Sequence, residues 1–368
     1  MADLDQITVA TKRFVRETPK LIDMVFQEGP LAAYAKTTAR ETYTGGRFIG
    51  ENFWYNGLIG GPYAKGQEFD ITEPQVEQEL QFNPKFFEVN ITMAKEDVQV
   101  INKGPNMIFS LVKSRMENAY ATMGAYLEIA MYLPGLNANY TKNFDGLPEA
   151  LNDGSTVSWN NVAYTTYGAI TRGGSVGTTL NSVPTDVNGT IQYNTLENTY
   201  GSASFGTKEP NLGCTTQFGY SFIKEKFQTQ QRFNDTQDPK IGFNGLKFNS
   251  ATIIKSRYAP GAYLYGSSGT ADPVAVQFIK TMSGGALTAY PTPVGGYPAA
   301  GSYNETLFWI NGNKPYMNFY ISDDPEYGFG FTGFKPAQGN TKIAGQVLFA
   351  GAVTWAPRYH QQLYQITG

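Results

Sequence analysis

The cleanest alternation of apolar and polar positions lies in "FFEVNITMA", with Phe87, Val89, Ile91 and Met93 on one side and Glu88, Asn90 and Thr92 on the other. A period of two predicts a strand with one covered face. Downstream the period lengthens. In "GPNMIFSLVKSRMENAYATMGAYLEIAMYLPG", Ile108, Leu111, Met116, Ala119, Met123, Tyr126 and Ala130 share one helical stripe. Pro105 opens this stretch and Pro134-Gly135 closes it. About 28 residues rising ~1.5 Å each make a rod roughly 40 Å long, a spine onto which strands can pack.

Shorter helices are predicted in "IQYNTLENTYGSAS" and in "TTQFGYSFIKEKFQTQQRF", where Phe218, Phe222, Ile223 and Phe227 recur at helical spacing. "TPKLIDMVFQEG" predicts another, with Thr18 as N-cap, Pro19 in the first turn and Gly29 as the stop. Its apolar face (Leu21, Ile22, Val25, Phe26) needs a host surface, its own or a neighbour's. "GLKFNSATIIKSRY" reads as a strand pair. The apolar run from Val347 to Val353 reads as a strand covered on both faces, which Pro357 should pass to a sheet edge. Between Trp54 and Pro74, glycines at 57, 60, 61 and 66 join two extended arms into a long projecting hairpin.

Composition sharpens this picture. Charged residues make up 16% of the 368, against roughly 25% in an average soluble domain, and 40 Gly, 24 Tyr and 24 Phe stand in their place. Such a surface tolerates extensive contact with other protein. The balance of 28 basic against 31 acidic residues leaves −3, without the basic excess of a nucleic-acid reader. Cys214 is the only cysteine, so it forms no disulfide framework and is expected to pack as a small buried thiol. The N-terminus has no apolar signal region, and no apolar run reaches a membrane span.

Candidate chemistry is thin. "GFGFTG" places glycines at 328, 330 and 333, but "FKPAQGN" follows where a dinucleotide loop needs a helix to meet the pyrophosphate. "TRGGSVGT" lacks the lysine of a phosphate-binding loop. Asp323-Asp324-Pro325-Glu326 reads as a solvated turn, since adjacent acids cannot all face one ion. His360, the only histidine, has no shaped nucleophile turn to serve. Its ring is expected to pack or hydrogen-bond at a sheet edge or subunit contact. The reading is of a protein that is not an enzyme and has no cofactor, metal or catalytic residue. With one histidine, stability should change little between pH 5 and 8.

Taken in order, these pieces resemble the major capsid proteins of tailed bacteriophages with the Hong-Kong-ninety-seven-like fold. The resemblance runs from about residue 40 to the end. It rests on the hairpin, "FNPKFFEVNITMAKED", the spine, the block "EPNLGCTTQFGYSFIKEKFQTQQRFNDTQDPKIGFNGLKFNSATII" and the close "KIAGQVLFAGAVTWAPRYHQQLYQI". It implies an α+β chain with an N-terminal arm (1–45) and an extended hairpin loop (50–86) reaching over a neighbouring subunit. A peripheral domain (87–149 plus 336–368) would hold the spine (105–133) and the last strand, and an axial domain (150–335) would line ring centres. The implied function is a self-assembling icosahedral shell of pentamers and hexamers enclosing double-stranded DNA. Its location would be the virion capsid, after assembly in the host bacterial cytoplasm.

Implied partners are further copies of the chain, weakly and non-specifically held DNA, and portal, scaffolding and decoration proteins, with no membrane. Expected contacts between subunits are Leu21, Phe26, Trp54, Tyr55, Tyr63, Lys65, Phe69, Arg358 and His360. Some relatives cross-link a hairpin lysine to a neighbour's asparagine; Lys65 lies in the hairpin, but nothing marks a partner, so no cross-link is expected. The competing readings are an encapsulin-type cargo shell of the same fold and a carbohydrate-binding tail protein.

Overall fold

The computed structural model describes residues 29–69, 71–97, 111–136, 140–228, 235–237, 244–336 and 341–368. Residues 18–28 of the expected first helix, with Leu21 and Phe26, lie outside them, as do residues 105–110 of the expected spine.

The first half of the chain gives α1 (Pro30–Thr38), β1 (Arg40–Tyr43), β2 (Ile49–Trp54), β3 (Glu77–Phe82), β4 (Lys85–Ala94) and the spine α2 (Leu111–Tyr132). Next come β5 (Thr185–Gly189), α3 (Tyr193–Ala203), β6 (Leu212–Thr215), α4 (Gln217–Gln228), β7 (Asp235–Gln237), β8 (Asn244–Phe248), β9 (Ala251–Lys255) and α5 (Pro273–Met282). The chain closes with β10 (Glu305–Ile310), β11 (Met317–Ser322), β12 (Gly328–Phe331), β13 (Lys335–Pro336), β14 (Lys342–Trp355) and β15 (Gln361–Ile366). The α+β class, the spine, the alternating strand and the 244–255 strand pair are as the sequence predicts.

Two sheets organise the body. In the six-stranded sheet β14 is the hub: β4 runs antiparallel along one side, and β11, β12 and β13 follow one another along the other, with β1 parallel to β11 outside them. The seven-stranded sheet has the order β5-β15-β10-β6-β9-β8-β7. Sheet membership cuts across the expected division: β11 and β12, within 150–335, pair in the sheet of β4 and β14, while β15, within 336–368, pairs in the other sheet. Pro357 is the reason: the strand stops at Trp355, Pro357–Tyr359 form a short 3-10 turn, and the chain leaves in a new direction. It enters the second sheet between β10 and β5 as an interior strand, not at an edge.

The spine explains why the two sheets form one body. Its N-terminal half is one-sided, with Ala119 and Met123 buried and Lys113, Arg115 and Glu117 exposed. From Leu127 to Leu133 every side chain is buried, which marks a helix passing through the core. On one side Phe87 of β4 meets Phe349 of β14 at 6.0 Å and Tyr126 meets Phe278 at 4.9 Å; on the other, Tyr132 meets Phe308 of β10 in the seven-stranded sheet at 5.5 Å. α5, not expected from the hydrophobic pattern, carries a plain start signal: the Asp272 carboxylate accepts from the Val274 and Ala275 amides, and Pro273 occupies the first turn.

Candidate assembly surfaces

The groups that could have carried chemistry are absorbed by the fold. His360 is 1% exposed. Its Nδ1 accepts from the Asn311 amide at 3.0 Å, and Nε2 lies 3.0 Å from the Tyr316 carbonyl, which fixes the Nε2–H tautomer. Burial holds its pKa down to about 4. His360 therefore joins the turn after β14 to the loop before β11; it is neither at a sheet edge nor on a surface that another subunit could touch, which corrects that expectation. Cys214 is buried, and burial pushes its thiol pKa well up. Gly328 and Gly330 sit in β12, and a Cβ on Gly330 would run into the Pro325 carbonyl. "GFGF" is thus a strand folded tightly over the 323–327 turn, where Asp324 accepts from the Glu326 amide at 2.8 Å. Among the described residues no three His, Cys, Asp or Glu side chains are placed to hold a metal ion, and no helix is long and apolar enough to cross a membrane.

Buried carboxylates serve the backbone instead. Glu128, on the spine, accepts from the Ala32 amide at 2.6 Å, the Leu31 amide at 3.4 Å, Ser256 Oγ at 2.8 Å and Tyr132 OH at 3.3 Å. It caps the N-terminus of α1 from a distant point in the chain and joins α1 to the spine and to the strand exit at Ser256. A Cβ on Gly29 would lie 2.7 Å from Glu128 Cβ, so glycine admits this approach. Burial pushes the Glu128 pKa up to about 7 against those donors. Burial likewise raises Asp145 to about 6. With one histidine, stability was expected to change little between pH 5 and 8; desolvation instead moves Glu128 and Asp145 into that window.

The surface is where the unusual features lie. β2 and β3 pair antiparallel from Ile49↔Phe82 to Trp54↔Glu77, and the Tyr55 amide continues the ladder to the Val76 carbonyl at 3.0 Å. Trp54 is 79% exposed and donates its indole N–H to Glu77 at 3.0 Å. Beyond it, every residue from Asn56 to Phe69 is exposed. Tyr63 and Phe69 pack edge-to-face at 5.1 Å with their other surfaces in solvent, and Lys65 stands exposed in the turn between them. Leu58, Ile59 and Ile71, which the sequence reading did not single out, complete the apolar set; Ile71 is 93% exposed. Tyr55 is half-buried at the root. Arg358 lies elsewhere, exposed on the 357–359 turn with its guanidinium 4.2 Å from the Phe205 ring centre.

A second feature was illegible in sequence. Phe86, Tyr126, Phe278, Met282, Tyr327 and Leu348 line an open groove of about 520 Å³ beside β4, with Glu88 and Lys142 as its charged residues. Phe86 is 68% exposed there.

Searched by sequence, the chain matches no family model and no curated relative. By structure it is similar to the capsid of cyanophage A-1(L), with a TM-score of 0.61 and 10% identity over 97% of each chain. It is also similar to the capsid of Helicobacter pylori bacteriophage KHP30, with a TM-score of 0.56 and 8% identity over 100% of this chain and 98% of that one. A third likeness is to the SrpI encapsulin of Synechococcus elongatus PCC 7942, with a TM-score of 0.53 and 8% identity over 100% and 97%. These likenesses cover 97% or more of this chain. The fold is that of shell-forming capsid proteins, the Hong-Kong-ninety-seven-like fold.

Proposed function

We propose that this chain is the major capsid protein of a tailed double-stranded DNA phage, assembling through pentamers and hexamers into an icosahedral shell. The observation that carries this reading is the exposed apolar hairpin on a chain similar to a phage capsid protein over 97% of its residues. Large apolar side chains in a projecting loop have no covering surface on their own copy and lose water contact only against another. Trp54, Tyr55, Tyr63, Lys65 and Phe69 act as contact residues, with Leu58, Ile59 and Ile71 as the apolar anchors. The hairpin of one copy lies in the groove between Phe86 and Leu348 of the next. Such a contact repeats head to tail and closes into rings, and modest interfaces add up across a shell. Arg358 contributes a separate contact from the 357–359 turn, beside Phe205. DNA is held weakly, without a basic lining that would retain it, and portal, scaffolding and decoration proteins complete the particle.

The test is electron microscopy of the purified chain, expressed in bacteria alone and with its neighbouring genes. Closed shells with five- and six-fold units are expected; a chain that stays monomeric under every condition refutes the proposal. The likeness to the encapsulin supports a second reading, a cargo compartment. Particles from native material separate the two: nuclease-protected DNA supports the phage shell, and a stoichiometric packaged protein supports the compartment.

A further inference from the structure

Both strands of the hairpin root are anchored by apolar side chains, and one carries a polar attachment as well. On the returning strand β3, Leu80 and Phe82 are buried, Phe82 meets Tyr167 edge-to-face at 5.3 Å, and the Gln81 amide donates to the Gly168 carbonyl at 2.9 Å. A Cβ on Gly168 would lie 2.7 Å from Leu80 Cδ2, and its φ of +53° is left-handed, so glycine is needed twice over. On the outgoing strand β2, where Ile49 is buried and Phe53 packs against the core, a polar attachment is added. Glu51 Oε1 accepts from Asn318 Nδ2, Tyr320 OH and Thr354 Oγ1, each at 2.8 Å.

These three donors form a platform. Asn318 and Thr354 face each other across the β11–β14 ladder, and Tyr320, two residues further along β11, shares their face. Glu51 therefore reaches from the hairpin onto one face of the six-stranded sheet. An apolar contact is non-directional and by itself lets a hairpin pivot. Three hydrogen bonds converging on one anionic oxygen define a direction and are the stronger kind. Direction matters because the loop is a lever. Residues 55–76 leave about eleven residues per arm, at most ~36 Å of reach, so a tilt of roughly 10° at the root moves a fully extended tip by about 6 Å. That is more than the spacing between neighbouring strands.

We propose that Glu51 is the positioning residue that sets the angle of the hairpin against the six-stranded sheet, and so decides which part of a second copy the apolar tip meets. The proposal rests on the assembly reading above, but its primary test does not need assembly. Spin labels at Lys65→Cys in the tip and Lys280→Cys on α5, in a Cys214→Ala background, report the tip-to-body distance in the unassembled protomer. With Glu51 intact the distribution is narrow. Glu51→Ala broadens it and raises amide exchange in Ile49–Trp54 about tenfold or more, while exchange in the spine stays unchanged. Glu51→Gln, which keeps the shape and loses the charge, falls between them and serves if the alanine variant misfolds. Distances and exchange in both variants identical to the parent overturn the proposal, whatever the particles look like. A parent chain that never assembles instead overturns the assembly reading and leaves the hinge result standing.

Discussion

From Leu127 to Leu133 every side chain of the spine is buried, the carboxylate of Glu128 included, whereas from Asn56 to Phe69 every residue of the hairpin is exposed. Both segments carry large apolar residues. The spine packs against β4 and β14 of one sheet and, through Tyr132, against Phe308 of the other at 5.5 Å, so its apolar surface is covered within one copy. The hairpin is held only at its root, and its apolar surface is left for whatever approaches. Burial of each such side chain contributes about 1.5–3 kcal/mol, in folding for the spine and in association for the hairpin. The same residue types thus serve stability in one region and cohesion in the other.

Changes at the two regions should therefore separate. The largest effect is expected from Leu58→Ser, Ile59→Ser and Ile71→Ser combined: loss of particles in electron micrographs, with the thermal midpoint of the unassembled protomer unchanged. A fall in that midpoint would mean that the hairpin stabilises its own copy. Next, Phe349→Ala, at the centre of the aromatic cluster on β14, should cost about 3–5 kcal/mol in urea unfolding. Ile71→Ala should stay within about 0.5 kcal/mol in the same assay.

The buried ionisable groups give a finer division. Glu128 has a folded pKa near 7, above its unfolded value of 4.5, so the folded state holds the extra proton. Its contribution is complete below about pH 4.5 and is lost as pH rises to 7, by up to about 3 kcal/mol. Glu128→Gln lacks that loss, and its stability relative to the parent should climb from pH 4.5 to 7. His360 works the other way. Its folded pKa of about 4 lies below 6.5, so its contribution is present above pH 6.5 and is lost as pH falls towards 4. His360→Gln should gain on the parent as pH drops through that window. Parallel slopes for the two variants would contradict the assignment.

Much of the architecture was legible because it depends on local pattern. The β4 alternation, the spine stripe and the 244–255 pair each follow from neighbours within a few residues. What escaped depends on distance in the chain. α1 is capped by a carboxylate 96 residues away, and the groove gathers Phe86, Tyr126, Phe278 and Leu348 from four elements. His360 was misplaced for the same reason: no local feature says that Asn311 and Tyr316 close over it. The assembly residues were partly visible. Trp54, Tyr63 and Phe69 stood out beside glycines, while Ile71 looked like an ordinary strand residue until its exposure was seen. The Asp272-Pro273 cap is a local signal and was legible in the sequence.

A cryo-electron-microscopy map of particles assembled from this chain tests the central claim directly. The account predicts residues 56–71 of each copy seated against Phe86, Tyr126, Met282 and Leu348 of its neighbour, with Glu51 still bound to Asn318, Tyr320 and Thr354 of its own copy. A shell in which the hairpins project free of any neighbour, and the copies meet through other surfaces, would contradict it.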